Sequence, residues 1–285
     1  MLDCITVAAI QMDSQADKTE NIYSALRLVE QAADRGAQLI GLPEVFNFLG
    51  PGKLAGEMAE EIPGPTVEQF QTAARRYSIH LLAGSILEIN PEAPTRPFNT
   101  SCLIGPDGDI LAKYRKMHLF DVDLPGEFVY RESDERTPGM DAVVAATSMG
   151  NIGLSICYDV RFPELYRRMS EQGLEILFVP AAFTMQTGRD HWHVLLRARA
   201  IENQVYVIAP AQTGKKIEGL VCYGRSVIIN PWGTVLAQAD DAEVAILTEI
   251  TNDGLQSVRG KLPCLERRRI GEVTHDVDRD YFRQP

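Results

Sequence analysis

Short apolar strands alternate with amphipathic helices along the chain, and that alternation predicts an α/β fold. Two further observations support it. The strand segments are near-continuous runs of β-branched and aliphatic residues, the pattern of strands buried on both faces. Several of them also end on a charged or nucleophilic side chain, where α/β sheets carry their chemistry. The chain has 285 residues, 45% apolar and 24% charged. That composition suits a large core and excludes a disordered chain. No linker divides it, so residues 1–285 are read as a single domain.

Residues 5–10, Ile-Thr-Val-Ala-Ala-Ile, predict the first strand, which ends at Gln11. Ile22, Ala25, Leu26, Val29 and Ala33 then recur at helical spacing, with Gly36 as the stop. A strand at 39–42 runs directly into Pro43-Glu44. Pro65-Thr66 opens a helix that carries Val67, Phe70, Ala74 and Tyr77, and a strand at 80–84 follows. Strands at 101–104 and 110–114 flank Gly105-Pro106-Asp107-Gly108, which has hairpin-turn residues, and lead into Arg115-Lys116-Met117-His118. The stretch 119–139 shows no period and reads as a long surface loop of the kind that is often functional. Strands at 142–147 and 152–156 surround Gly150-Asn151, and the second ends at Cys157. A helix over about 163–172, a strand at 176–179 and a helix over about 191–203 follow. The last strands are at 205–209, 226–229, 235–239 and 244–250, with Asn230-Pro231-Trp232-Gly233 as a turn. The segment 252–285 is expected to be a C-terminal helix and tail. Its Arg267-Arg268-Arg269 run reads as a surface or subunit contact.

Composition removes several function classes. Lys and Arg number 28 against 39 Asp and Glu, a formal charge of −11. Such a surface repels nucleic acid and anionic lipid. No apolar run approaches the roughly 18 residues of a membrane span. An acid at Asp3 stands where a signal peptide carries basic residues, so the chain reads as cytoplasmic. The five cysteines are odd in number, widely separated and without a CxxC pair, which argues against a disulfide framework or a zinc site. His191 and His193 would point to different sides of a helix. With no G-x-G-x-x-G or Walker-type loop, neither a metal nor a nucleotide cofactor is expected.

Three strand ends carry chemistry. Cys157 sits in Ile156-Cys157-Tyr158-Asp159-Val160-Arg161-Phe162-Pro163, at a strand-to-helix junction. There, backbone N–H groups and a positive helix end would lower a thiol's pKa and stabilise an oxyanion. A buried inert thiol is the competing reading, and position alone does not separate the two. Glu44 follows an apolar strand, a setting suited to a proton shuttle. Lys116 could stabilise both a thiolate and an oxyanion, with Lys113 and Arg115 as neighbours able to take the same role. Glu, Lys and Cys at the ends of strands in one α/β sheet could converge in its ligand crevice.

These residues stand in Gly41-Leu42-Pro43-Glu44, in Tyr114-Arg115-Lys116-Met117-His118-Leu119-Phe120-Asp121 and in Gly153-Leu154-Ser155-Ile156-Cys157-Tyr158-Asp159. With Arg161-Phe162-Pro163-Glu164, His191-Trp192, the run from Arg197 to Asn203, Tyr223-Gly224 and Asn230 to Gly233, the chain resembles the nitrilase superfamily of carbon–nitrogen hydrolases over almost its whole length. Within it the sequence is similar to the branch that includes ω-amidases and deaminated glutathione amidases. The resemblance implies an αββα sandwich that pairs into dimers, no metal, and a catalytic triad at Glu44, Lys116 and Cys157. It also implies a second glutamate after the lysine, for which Glu132 in Arg131-Glu132-Ser133 fits better than Glu127.

The function expected is hydrolysis of small linear amides through a thioester on Cys157, with ammonia released. Carboxylate-bearing substrates such as α-keto ω-amides or deaminated glutathione are favoured. Arg161, four residues after Cys157, could hold that carboxylate or could instead pair with Glu164 or Asp159. Tyr158, Phe183 and Thr184 complete the candidate substrate-binding set. Phe162, Leu165 and Tyr166 could face a second copy in a homodimer or larger assembly. Hydrolysis of N-carbamoyl amides or nitriles is the alternative within the superfamily. A Cys-His dyad using His118 or His191 and a non-catalytic scaffold are the alternatives outside it.

Overall fold

The computed structural model describes residues 1–124, 128–216 and 219–269. Five strands, β1 (Cys4–Gln11), β2 (Leu39–Gly41), β3 (His80–Glu88), β4 (Phe98–Ile104) and β5 (Ile110–Arg115), join the late strand β16 (Val244–Thr251) in one sheet. Its order is β16-β1-β2-β3-β4-β5. The second sheet is made of β8 (Val143–Thr147), β9 (Gly150–Leu154), β10 (Ile176–Phe178), β11 (Tyr206–Ala209), β14 (Val227–Ile229) and β15 (Val235–Gln238). Its order is β15-β14-β11-β10-β9-β8. The sheets repeat one plan: β1-β2-β3 and β9-β10-β11 are parallel, and the flanking strands pair antiparallel.

Period-two alternation along the first sheet decides how the layers stack. Ile5, Val7 and Ala9 of β1, Leu39 of β2, Leu82 of β3 and Leu103 of β4 pack in one core with Ile152, Leu154, Phe178 and Val207 of the second sheet. Their neighbours Ala8, Ile10, Ile40, Leu81 and Ile104 point the other way, onto α1 (Lys18–Asp34) and α3 (Pro65–Tyr77), where Leu28, Val29, Val67 and Phe70 receive them. Leu165 and Tyr166 of α5 (Pro163–Glu171) and Trp192 and Leu196 of α6 (Met185–Asn203) pack on the second sheet. The layers are therefore helix, sheet, sheet, helix, an αββα sandwich.

Helix ends follow local chemistry. The Asp17 carboxylate caps α1 by accepting from the N–H groups of Thr19 and Glu20, and Gly36 just beyond that helix has φ +87°, a left-handed conformation without penalty for glycine. Pro65 begins α3, where its missing N–H is not needed. Among the described residues no helix is long and apolar enough to cross a membrane.

Several boundaries differ from the sequence reading. The stretch expected to be a long loop contains a hairpin of β6 (Asp121–Leu124) with β7 (Phe128–Arg131) and a short helix α4 (Glu132–Glu135). Its strands are too short to show a period. Gly150 and Asn151 belong to β9 rather than to the turn, because Thr147 pairs directly with Gly150. Helix α6 begins at Met185, capped by Thr184, six residues before the first apolar repeat announces it. A further hairpin, β12 (Thr213–Lys215) with β13 (Val221–Tyr223), and helix α2 (Ala55–Met58) are too short to show a period in the sequence. Leu165 and Tyr166 do not face a partner as expected: both lie in the core, because α5 turns its apolar side onto the sheet. In the C-terminal segment, α7 (Asn252–Lys261) is present and the Arg268 guanidinium reaches Glu171 at 3.5 Å. Residues 270–285 of that segment and Glu127 lie outside the described residues.

Candidate active site

Strand ends from both sheets deliver side chains to one place. Beyond β2 the chain passes through Leu42-Pro43 to Glu44, crossing Gly84 of β3 so closely that a Cβ there would overlap the Leu42 and Pro43 carbonyl oxygens. Val45 is then held at φ +46°, with its N–H on the Ser85 hydroxyl at 2.8 Å. A β-branched residue in that region is strained, so the turn is maintained by its surroundings. Beyond β9 the chain reaches Cys157, itself at φ +48°, whose N–H donates to the Pro180 carbonyl at 2.8 Å. Lys116 is the residue directly after β5.

The charged groups meet through direct hydrogen bonds. Lys116 Nζ lies 2.9 Å from Glu44 Oε1 and 2.8 and 3.1 Å from the two oxygens of Glu132. Glu44 Oε1 also accepts from Asn99 Nδ2 at 2.9 Å, and Oε2 accepts from the Ala182 N–H at 2.8 Å. The Glu44 carbonyl accepts from Gln212 Nε2 at 3.0 Å. Glu132 Oε2 takes the Phe120 N–H at 2.6 Å. Glu44, Lys116, Glu132 and Cys157 are all buried. The three N–H donors of the ammonium thus face three carboxylate oxygens, two of them from Glu132.

Burial alone would pull the Lys116 ammonium down, but the adjacent Glu132, Glu44 and Cys157 outweigh it and hold its pKa well above that of an ordinary lysine. Cys157 differs from expectation. Burial, reinforced by the Glu44 carboxylate, pushes its thiol well above the ordinary value, and Lys116 offsets only part of this. The expected lowering failed because the strand end is enclosed and faces a carboxylate. A thiol in that state requires a base at the moment of attack, and Glu44 is its hydrogen-bonding neighbour.

The competing cations are placed elsewhere. Arg115 forms a two-point pair with Glu88 at 2.7 and 2.8 Å, and Lys113 reaches the same carboxylate at 3.5 Å. Alternation along β5 sends residues 113 and 115 to one side and 114 and 116 to the other. The histidines are also engaged. His118 Nδ1 lies 2.8 Å from Asp159 and its ring stacks on Phe162, whereas His191 Nδ1 meets Arg161 Nη1 at 3.1 Å. Neither is arranged as a base for Cys157.

Above the charged floor opens a cavity of about 640 Å³. Tyr158, Arg161, Phe183 and Thr184 all line it. The Arg161 guanidinium stands over the rings of Phe183 and Tyr158, at 5.1 and 5.6 Å. Among the described residues it meets no carboxylate: Asp159 spends its oxygens on Ile156, Tyr114 and His118. Thr184 uses its hydroxyl to cap α6 and to bond Thr187. Asn99, Gln212 and the Ala182 N–H were not anticipated from sequence. Asn99 could have been noticed as a polar residue opening a buried strand, where Asn is disfavoured. Among the described residues, no three His, Cys, Asp or Glu side chains gather so as to hold a metal ion.

An αββα sandwich whose strand ends converge on buried Glu, Lys and Cys defines a carbon–nitrogen hydrolase, and the chain belongs to that family: the carbon-nitrogen hydrolase profile matches residues 6–259. Among individual relatives, the chain is 48% identical to the deaminated glutathione amidase of Synechocystis sp., covering 92% of this chain and 97% of that protein. It is 40% identical to the omega-amidase of Xenopus tropicalis, covering 88% of this chain and 90% of that one. The crystal structure of Saccharomyces cerevisiae Nit3, a member of branch 10 of the nitrilase superfamily, superposes with a TM-score of 0.85 at 32% identity, covering 94% and 97% of the two chains.

Proposed function

We propose that the protein hydrolyses small linear amides that carry a carboxylate, through a thioester on Cys157. The observation that carries this reading is the buried contact of Lys116 with Glu44 and Glu132 beside the Cys157 thiol, at the floor of a cavity whose wall presents an uncompensated guanidinium. Glu44 takes the thiol proton as sulfur attacks the amide carbon. The Lys116 ammonium, turning one N–H away from Glu132, and the Tyr158 backbone N–H stabilise the tetrahedral oxyanion. The protonated Glu44 then gives its proton to the departing nitrogen, the C–N bond breaks, and ammonia leaves a thioester. Glu44 next accepts a proton from water as the hydroxide adds to the thioester carbon, and sulfur departs with that proton. Glu132 orients Lys116 throughout.

Arg161 supplies recognition. Its planar fork suits a carboxylate, and the aromatic faces of Phe183 and Tyr158 hold it in place. Tyr158 and Phe183 line the acyl part of the cavity, and Thr184 fixes its edge. The named relatives, a deaminated glutathione amidase and an omega-amidase, support an amide over a nitrile or an N-carbamoyl compound. Ammonia release from a panel of α-keto ω-amides, glutathione analogues lacking the amine, and simple nitriles tests the reading. Turnover of none of the amides would return the protein to a binding or scaffold role.

A homodimer belongs to the same reading. Val194 and Ile201, seven residues apart on α6, are exposed, and the Trp232 turn lies beside Ile201 with its indole exposed as well. This apolar face is a fitting subunit surface, and the segment 252–285 is assigned as an additional contact. Sedimentation showing an active monomer of about 32 kDa at micromolar concentration would remove both assignments. A cytoplasmic setting completes the proposal, because it keeps the Cys157 thiol reduced. Fractionation of the native source tests it.

A further inference from the structure

The turn that carries Cys157 and the segment that carries Lys116 come from different sheets, yet one side chain bonds to both. Asp159 is completely buried, two residues after Cys157. Its Oδ2 accepts from the Ile156 N–H at 2.8 Å and from the Tyr114 hydroxyl at 2.7 Å. Its Oδ1 accepts from the His118 N–H at 3.0 Å and lies 2.8 Å from His118 Nδ1. Ile156 directly precedes Cys157, while Tyr114 and His118 lie two residues before and two after Lys116. The Tyr114 hydroxyl in turn accepts from the Met117 N–H at 3.2 Å. Four donors converge on one carboxylate, and two of them are backbone N–H groups that flank the two reacting side chains.

We propose that Asp159 is a positioning residue that fixes the distance between the Cys157 sulfur and the Lys116 ammonium by tying the Ile156 and His118 backbones to one carboxylate. This rests on the reading of Cys157 and Lys116 given above. The left-handed φ of Cys157 makes a tether necessary, because a strained turn relaxes unless its surroundings hold it. Only an ionised carboxylate can serve, since both backbone partners are donors and each occupies a different oxygen. An asparagine has one oxygen. Whichever way its amide is turned, an N–H faces either the Ile156 N–H or the His118 N–H, and one of the two tethers is lost.

Asp159→Asn is therefore expected to lower kcat on the best amide ten- to hundredfold while KM moves less than threefold. Turnover is expressed per active site, with sites counted by the acyl adduct that a slow substrate leaves on Cys157, read by denaturing mass spectrometry. A merely structural role would reduce the number of sites and leave turnover per site unchanged. Tyr114→Phe keeps both backbone tethers and is expected to lose no more than about threefold. Should Asp159→Asn fail to fold, Asp159→Glu carries the test, because it keeps both acceptor oxygens but moves them by one methylene, so the two backbones are tied at the wrong separation. About a tenfold loss per site is expected there. Turnover per site within threefold of wild type in Asp159→Asn, or in Asp159→Glu when that is the one measured, overturns the proposal. Cys157→Ala, assayed alongside, separates the two ideas. Activity surviving without the thiol defeats the nucleophile assignment itself, whereas a dead Cys157→Ala beside a normal Asp159→Asn defeats only the tether.

Discussion

The two ends of the cavity treat charge in opposite ways. At the floor, Lys116 is enclosed by Glu44 and Glu132, each of which is fixed in turn by Asn99, the Ala182 N–H or the Phe120 N–H. At the wall, Arg161 is half-buried over two aromatic rings, with a neutral histidine nitrogen as its hydrogen-bonding neighbour and no carboxylate among the described residues. A guanidinium only donates, so His191 Nδ1 must be the acceptor in that contact. The floor is saturated and rigid, as befits groups that must not reorganise during reaction. The wall has been left one negative charge short. A chain at −11 would otherwise repel an anionic substrate, and an unmatched cation is the local correction.

Removing the sulfur has the largest effect expected. Cys157→Ala should abolish turnover while leaving the thermal transition within a few degrees of wild type, because few packing atoms are lost. Denaturing mass spectrometry on a slow substrate should then find an acyl adduct on Cys157 of the wild-type protein and on no other cysteine. Lys116→Met comes next and attacks the saturated end directly. Two buried carboxylates would face each other without their cation, so stability should drop by about 3–5 kcal/mol and turnover by at least about a thousandfold. Urea unfolding measures the first and ammonia release the second. A stable and active Lys116→Met protein would show that the floor is ordinary packing.

The floor was the more legible end in the sequence. Glu44, Lys116 and Cys157 each follow a strand, and strand ends are where α/β sheets gather their chemistry. Glu132 was recognisable only by resemblance, since the β6–β7 hairpin and α4 that place it are too short to display a period. The groups that orient Glu44 were not legible at all. Ala182 contributes a backbone N–H, which no side-chain pattern announces, and Asn99 comes from β4, 55 residues away in sequence. The Cys157 environment was misjudged for a related reason: the junction was visible, but enclosure by the opposite sheet was not. For Arg161 the sequence leaves its alternatives open, and the structure pairs it with neither Glu164 nor Asp159.

The misjudged thiol gives a prediction of its own. A thiol held well above the ordinary value stays protonated near neutrality. The rate of Cys157 alkylation by iodoacetamide should therefore climb about tenfold per pH unit, or roughly a hundredfold from pH 7 to 9, without reaching a plateau. A depressed pKa would produce a flat profile over that range, as in a thiolate–imidazolium pair. Flatness would revive a histidine partner for Cys157 and contradict the contacts of His118 and His191.

Arg161→Lys tests the unsaturated end and has the smallest effect of the four. Lysine preserves the positive charge, so long-range attraction of an anion survives the substitution. What disappears is the planar fork, which makes two parallel hydrogen bonds and fixes the direction from which the amide approaches the thiol. For an α-keto ω-amide, kcat/KM should fall roughly tenfold to hundredfold, equivalent to about 1.5–3 kcal/mol of lost transition-state binding. Most of that should appear in KM. A short neutral amide has nothing for the fork to hold and should lose less than about threefold. The contrast between the two substrates carries the test, because a structural defect in the wall would lower both equally. Equal losses would mean that Arg161 braces the Cys157 turn through Phe183 and Tyr158, and the cation serving the substrate carboxylate would then have to be sought at Lys216, which lines the same cavity but is already paired with Asp13.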